Sequence, residues 1–189
     1  PDESSVQFEH VCSLKDEPPP PPELPEETFI LVAPFDGIGG ARRALELLGI
    51  KPAIYISIET DQDCAHVVSR AWPEVALFED LSDVQDHELE DVLKTVPGLT
   101  KGLIAGGPPC QPFSALDPNR VGFEDQRSEG IPGFVDLVQR LRKIAPHIHW
   151  DYMCENVASM LPADRASITE ILTPLQEKDP YWVDGPGFG

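Results

Sequence analysis

The chain has 189 residues, 41% of them hydrophobic, and a formal net charge of −19 at pH 7. That length and apolar content support one buried core, and no apolar run reaches the roughly eighteen residues of a membrane span. The charge argues against a nucleic-acid binder, whose affinity comes largely from Lys and Arg on phosphates.

Residues 1–28 hold eight acids and one lysine, so −12 still rests on the remaining 161 residues. The Pro18 to Pro22 run favours extended polyproline II. This stretch is expected to be an acidic, proline-rich tail or linker. Residues 29–189 are expected to form the folded core. No basic start followed by an apolar stretch suggests a secretory signal, so an intracellular chain is expected. Cys12, Cys64, Cys110 and Cys154 form no C-x-x-C pair, and no metal-ligand spacing stands out. No metal site is expected.

From Phe29 the texture changes. Phe29 to Ala33 reads as a buried strand, and the glycine-rich turn Phe35-Asp36-Gly37-Ile38-Gly39-Gly40 follows. Ala41 to Leu48 reads as a helix ended by Gly49. Arg42 and Arg43 are expected on its solvated face. Ala53 to Ile58 is a second strand, ending at Glu59. A helix is expected from Gln62 to Ala71, stopped by Trp72-Pro73. Val75 to Phe78 is a short strand before Glu79-Asp80. Leu89, Val92 and Leu93 mark a helical face.

Gly102 to Ala105 is the next strand. It delivers Gly106-Gly107-Pro108-Pro109-Cys110-Gln111-Pro112-Phe113-Ser114. Proline fixes φ and removes backbone donors, so the thiol of Cys110 sits on a stiff loop. Phe134 to Ile144 has helical spacing. His149 to Cys154 reads as a strand ending at Glu155-Asn156. A last helix is expected over 166–176.

Alternating strands and helices predict a parallel sheet with helices on both faces. Ligands of such sheets lie beyond the carboxyl ends of the strands. Those ends hold the 35–40 turn, Glu59, Asp80, the cysteine loop and Glu155-Asn156. The glycine turn lets a ligand approach the backbone and opens a helix whose start favours an anion. It matches neither the phosphate loop nor G-x-G-x-x-G, where Arg42 replaces the last glycine. Glu59 is placed to accept from ribose hydroxyls and Asp80 from an adenine amine; either is equally a solvated strand-end carboxylate. Together they outline a nucleoside pocket without a phosphate, which suits S-adenosylmethionine.

The sequence resembles the DNA cytosine-5 methyltransferases over about residues 29–158. The matching stretches are the 35–40 turn, Glu59, Asp80, Gly107 to Ser114, Gly122 to Ser128, and Glu155-Asn156-Val157. The resemblance implies a Rossmann-like methyltransferase fold, incomplete at its carboxyl end. It implies S-adenosyl-L-methionine as cofactor, held by Phe35, Asp36, Gly37, Ile38, Gly39, Gly40, Glu59, Thr60, Asp80, Leu81 and Pro109. It implies DNA as partner, with a cytosine flipped from the duplex. Cys110 would add to ring C6, Glu155 would meet N3, and Asn156 would brace the cysteine loop. Arg127 would help hold loop or substrate; an ion pair with Glu124 or Asp125 is the equal alternative. The compartment implied is nuclear in a eukaryote and cytoplasmic in a bacterium.

The match departs at Ala33-Pro34 and at Gly102, where acids are common in the family. It departs again at Ser128-Glu129-Gly130-Ile131-Pro132-Gly133, where an apolar helix normally begins. No arginine-bearing strand or target-recognition region follows, so a missing segment or partner is expected to supply target recognition. A truncated, inactive remnant acting as an interaction module stays open. So does a tRNA cytosine-5 methyltransferase.

Overall fold

The computed structural model describes residues 29–175. The expected tail over 1–28, with Cys12, lies outside them, as does the last residue of the expected final helix. The first strand, β1 (Phe29–Pro34), buries Ile30, Leu31, Val32 and Ala33 completely. Fully burying such aliphatic side chains stabilises by roughly 1.5–3 kcal/mol each, so β1 belongs in the middle of the sheet. Four more strands follow: β2 (Ile54–Ile58), β3 (Ala76–Phe78), β4 (Lys101–Gly106) and β5 (His149–Cys154). All pair in parallel, in the order β3-β2-β1-β4-β5.

From β1 in the centre the chain winds outward to β3, and returns to the other side of β1 at β4. The winding reverses between β1 and β4, which opens a crevice at their carboxyl ends. Gly106 marks how closely the two strands end there: a Cβ on it would lie 2.2 Å from the Pro34 carbonyl oxygen.

Alternate residues of each strand face opposite sides. Leu31, Ala33 and Tyr55 pack with Leu45 of α1 (Gly40–Leu47) and with Val68 of α2 (Gln62–Ala71), beside Trp72. Ile30, Val32 and Ile104 pack with α3 (Asp86–Lys94) and α4 (Gly130–Ile144) on the other side. The helix α5 (Pro162–Leu172) adds Ile168 to a smaller cluster with Phe113 and Ile131, beneath the cysteine loop.

Local signals explain the helix ends. Gly49, at φ 74°, ends α1: its N–H donates to the Glu46 carbonyl while the Ile50 N–H donates to that of Leu45, a Schellman closure. The Asp61 carboxylate caps α2 by accepting from the Asp63 and Cys64 N–H groups. Two helices shift from their expected bounds. The helix α4 begins at Gly130, because Pro132 sits in its first turn, where an N–H has no partner to lose. The helix α5 begins at Pro162, in the first-turn position proline suits, and ends at Leu172, ahead of the turn over 173–175. Arg42 corrects an expectation too. It is 4% exposed, with its guanidinium 5.5 Å from the centre of the Trp72 ring.

Candidate active site

Five loops leave the carboxyl edge of the sheet. Across it, in spatial order, stand Asp80 beyond β3, Glu59 beyond β2, the 35–40 turn beyond β1, the cysteine loop beyond β4, and Glu155-Asn156 beyond β5. The topology thus collects these five sequence-predicted stretches on one edge, while Arg127 lies farther on, in the turn before α4. The reversal between β1 and β4 divides it into two halves.

The first half is built around carboxylates. Phe35 takes φ 55°, a left-handed conformation unusual for a side chain of its size, and its N–H donates to the Ile58 carbonyl at 2.9 Å. The turn then passes through Gly37 at φ 56°. The Gly37 N–H donates to Glu59 Oε2 at 2.7 Å, and the Asp61 N–H to Oε1 at 2.9 Å. Each oxygen keeps a lone pair for a further donor. Gly39, at φ 85°, caps α1; a Cβ there would lie 2.3 Å from the Trp72 ring. Gly37 and Gly40 have only open space where a Cβ would stand. The first turn of α1 holds neither an acid nor a capping side chain, which leaves its N–H groups for an anion.

Asp36 differs from its neighbours. Its Oδ2 accepts from the hydroxyls of Tyr55 and Ser57, the latter at 2.6 Å, while Oδ1 is buried without a partner. Burial pushes this carboxyl above its ordinary range. Asp80 is the reverse: the Ser82 N–H and hydroxyl, both at 2.8 Å on Oδ1, hold its carboxyl below the usual range. Ile38 and Thr60 are exposed, and Leu81 packs toward Gly133 on α4.

The second half is held by donors on backbone carbonyls. Cys110 is half-buried, and its carbonyl accepts from the Phe113 and Ser114 N–H groups at 3.0 and 2.9 Å. The thiol therefore stands at the head of a tight turn. Asn156 Nδ2 donates to the Pro108 carbonyl at 3.3 Å, and Asn156 Oδ1 accepts from the Val157 N–H at 2.8 Å. Glu155 is exposed, and its Oε2 lies 3.0 Å from where a Cβ on Gly107 would be. Arg127 forms a two-pronged pair with Asp125, closest at 2.6 Å, which holds the Asp125 carboxyl down to about 2. Cys154 lies beneath, its thiol pushed up to about 12 by burial and the nearby Glu155 charge.

Several residues act here without having been foreseen. Arg120 Nη1 donates to the carbonyls of Phe113 and Ser159 at 3.0 and 3.1 Å, and the Ala115 N–H donates to Ser159 Oγ at 3.2 Å. These bonds tie the cysteine loop to the chain after β5 across about forty residues of sequence, where no local pattern signals them. Gly130 joins the halves: a Cβ there would come within 3.0 to 3.2 Å of Pro109, Phe35 and Pro108. Gly102, a departure from the family pattern, makes room for the Trp150 ring of β5, 2.4 Å from its would-be Cβ.

A family model described as C-5 cytosine-specific DNA methylase matches residues 31–184. The chain belongs to that family. Among relatives, it is 33% identical over 173 residues to the type II methyltransferase M.HpaII of Haemophilus parainfluenzae, covering 91% of this chain and 43% of that protein. It is 29% identical over 152 residues to M.HgiBI of Herpetosiphon aurantiacus, covering 80% of this chain and 31% of that one. The methylase chain thus spans well under half the length of these relatives. The solved Entamoeba histolytica methyltransferase EhMeth shares the fold, at TM-score 0.52 and 19% identity, over 79% of this chain and 44% of that one. Among the described residues, no helix is long and apolar enough to cross a membrane.

Proposed function

We propose that this methylase-family chain carries the cofactor pocket and the nucleophile of an enzyme that methylates C5 of cytosine in DNA. The observation that carries this reading is the junction of the two halves. A proline-braced cysteine at the end of β4 stands between an open glycine turn and a Glu-Asn pair whose asparagine donates to the cysteine loop.

The residues suit S-adenosyl-L-methionine. Open space beside Gly37 and Gly40 leaves the backbone approachable, and the uncapped start of α1 suits a carboxylate. Glu59 retains acceptor capacity for ribose hydroxyls, and Asp80 stands one strand farther along for an amine. Bound there, the cofactor supplies an electrophilic methyl group on a sulfonium centre. Phe35, which crowds Gly130 together with Pro109 and Pro108, would separate the cofactor from the cysteine loop.

Cys110 acts as its thiolate, adding to C6 of the flipped cytosine. The electron pair of the C5–C6 bond then becomes available at C5. Glu155 holds a proton at N3, which drains charge from the ring as sulfur adds. After C5 is alkylated, its proton leaves to a base, the C5–C6 double bond reforms, and Cys110 departs as thiolate. Asn156 keeps the loop in register while sulfur attacks and leaves.

The acidity of the described surface gives duplex phosphates little to bind. Target recognition is therefore assigned to a further segment of the protein or to a partner. The reaction takes place where DNA is held, the nucleus of a eukaryote or the cytoplasm of a bacterium. The test is covalent trapping of the full-length protein on DNA carrying 5-fluorocytosine. A stable adduct that disappears with Cys110→Ser is expected. Absence of any adduct while S-adenosylmethionine binds overturns the chemistry.

A further inference from the structure

We infer that Asp36 is a positioning residue: tethered to Tyr55 and Ser57, it aims the Gly37 N–H at Glu59 and so sets the carboxylate that meets the cofactor. This rests on the proposed cofactor pocket, and it departs from a direct Asp36–cofactor contact.

The geometry begins one layer below the pocket. Tyr55 and Ser57 lie two residues apart on β2, so both face α1 and α2. They are 2% and 0% exposed. Both hydroxyls donate to one oxygen of Asp36. The Tyr55 ring is itself fixed, edge-on to Trp72 at 5.8 Å and 85°. Trp72 in turn fills the space a side chain at Gly39 would need. The Asp36 carboxylate is thus held from beneath by a strand whose own position is over-determined.

What that tether controls is one rigid peptide unit. The peptide between Asp36 and Gly37 is planar. Its carbonyl end accepts from the Gly39 N–H at 3.1 Å, and its N–H end donates to Glu59 Oε2 at 2.7 Å. Fixing the Asp36 side chain anchors the Cα at one end of that plane, and the two hydrogen bonds then set its rotation. If the plane turns, Glu59 loses one of its two backbone donors and α1 loses part of its start. Burial and the Glu59 charge both disfavour the ionised carboxyl, while the two hydroxyls favour it.

The experiment uses the full chain and two readouts. The first needs no cofactor: amide hydrogen exchange at Gly37 and Gly39, compared in wild type, Tyr55→Phe and Asp36→Ala. Loss of the tether is expected to speed Gly37 exchange about tenfold, the worth of one hydrogen bond to a charged group. Tyr55→Phe keeps the ring and its packing, so it separates the tether from general misfolding. The second readout is calorimetric affinity for S-adenosylhomocysteine. Asp36→Ala is expected to weaken it about tenfold in wild type and no further in a Glu59→Gln background. Independent, additive losses assign Asp36 a direct cofactor contact and overturn the inference. Unchanged Gly37 exchange in both variants overturns it as well. If wild type binds no S-adenosylhomocysteine, the proposed pocket fails, and the exchange data still decide the positioning role.

Discussion

The two halves of the sheet edge are organised by opposite chemistry. Beyond β1, β2 and β3, three carboxylates collect backbone and hydroxyl donors: Asp36 from Tyr55 and Ser57, Glu59 from Gly37 and Asp61, Asp80 from Ser82. Beyond β4 and β5, side-chain donors collect carbonyls instead: Asn156 takes Pro108, and Arg120 takes Phe113 and Ser159. Prolines explain the difference. Pro108, Pro109 and Pro112 cannot donate, so their loop offers acceptors and needs donors from elsewhere. The glycine turn offers N–H groups and needs acceptors. The first half is consequently acidic for structural reasons, and the second is the place where Asn and Arg are useful.

The halves also differ in what lies beneath them. The turn rests on the two clusters that pack on the faces of the sheet, whereas the cysteine loop rests on the small cluster around Phe113, Ile131 and Ile168. Phe113 is fully buried, with its ring 5.2 Å from that of Phe123. Phe113→Ala is expected to cost about 3–5 kcal/mol, read as a fall in Tm. The same variant should speed proteolysis within 115–129 and leave Gly37 exchange unchanged. Equal loosening of both halves breaks the comparison. Gly39→Ala probes the other side. It combines roughly 1–2 kcal/mol of left-handed backbone strain with overlap against Trp72 of about 1–3 kcal/mol. Its effect on exchange should centre on the 35–40 turn and spare the cysteine loop.

A smaller effect is expected at Asn156. Asn156→Ala removes one donor and one acceptor, about 1 kcal/mol each. Asn156→Asp keeps the acceptor for Val157 and loses only the donor to Pro108. If that donor organises the loop, both variants slow adduct formation alike, although Asn156→Ala, which loses both bonds, loses more stability. A normal adduct rate in Asn156→Asp removes the donor rule from the second half.

How much of this was legible in the sequence follows the same division. The strands were readable because buried parallel strands are short apolar runs closed by glycine or charge, and β5 matches its expected bounds. The site stretches were readable as positions because parallel topology sends every strand end to one edge. Helix starts were less so: Pro132 and Gly133 look like breakers, yet a first turn tolerates both. Arg42 was misplaced because its partner, Trp72, comes from another helix end, and an arginine that stacks reads like one that is solvated. The tethers themselves were invisible. Asp36 looks like a pocket acid in sequence, and only the register of β2 puts Tyr55 and Ser57 under it.

That buried acid yields a pH prediction. The folded chain holds the Asp36 proton to higher pH than the unfolded chain does. Stability contributed by this group is therefore greatest below the ordinary carboxyl value of about 4 and falls as pH rises through the raised value. Asp36→Asn cannot ionise and should flatten that part of the profile. Urea melts of both proteins at stepped pH check it. Parallel profiles would mean that the tether's hydroxyls already offset burial.

The smallest expected effect is at Arg127, and it sharpens the contrast most directly. In the second half the side-chain donors Asn156, Arg120 and Ser128 serve carbonyls, but Arg127 serves a carboxylate, Asp125, at the surface. Exposed pairs contribute little to stability because water and salt screen them. Asp125 is held down to about 2, so the pair persists until acid pH and is lost only as pH falls toward that value. Arg127→Ala should leave Tm at neutral pH within the scatter of replicate melts. Two roles then separate by rate. If the pair only shapes the 125–129 turn, Asp125→Asn and Arg127→Ala slow adduct formation equally. If Arg127 is held in reserve for substrate, Asp125→Asn frees it and leaves the rate intact or raises it, while Arg127→Ala lowers it. The second outcome makes Asp125 a parking place for a cation that a −19 chain can scarcely spare, and it assigns a substrate contact to the Cys110 side of the edge.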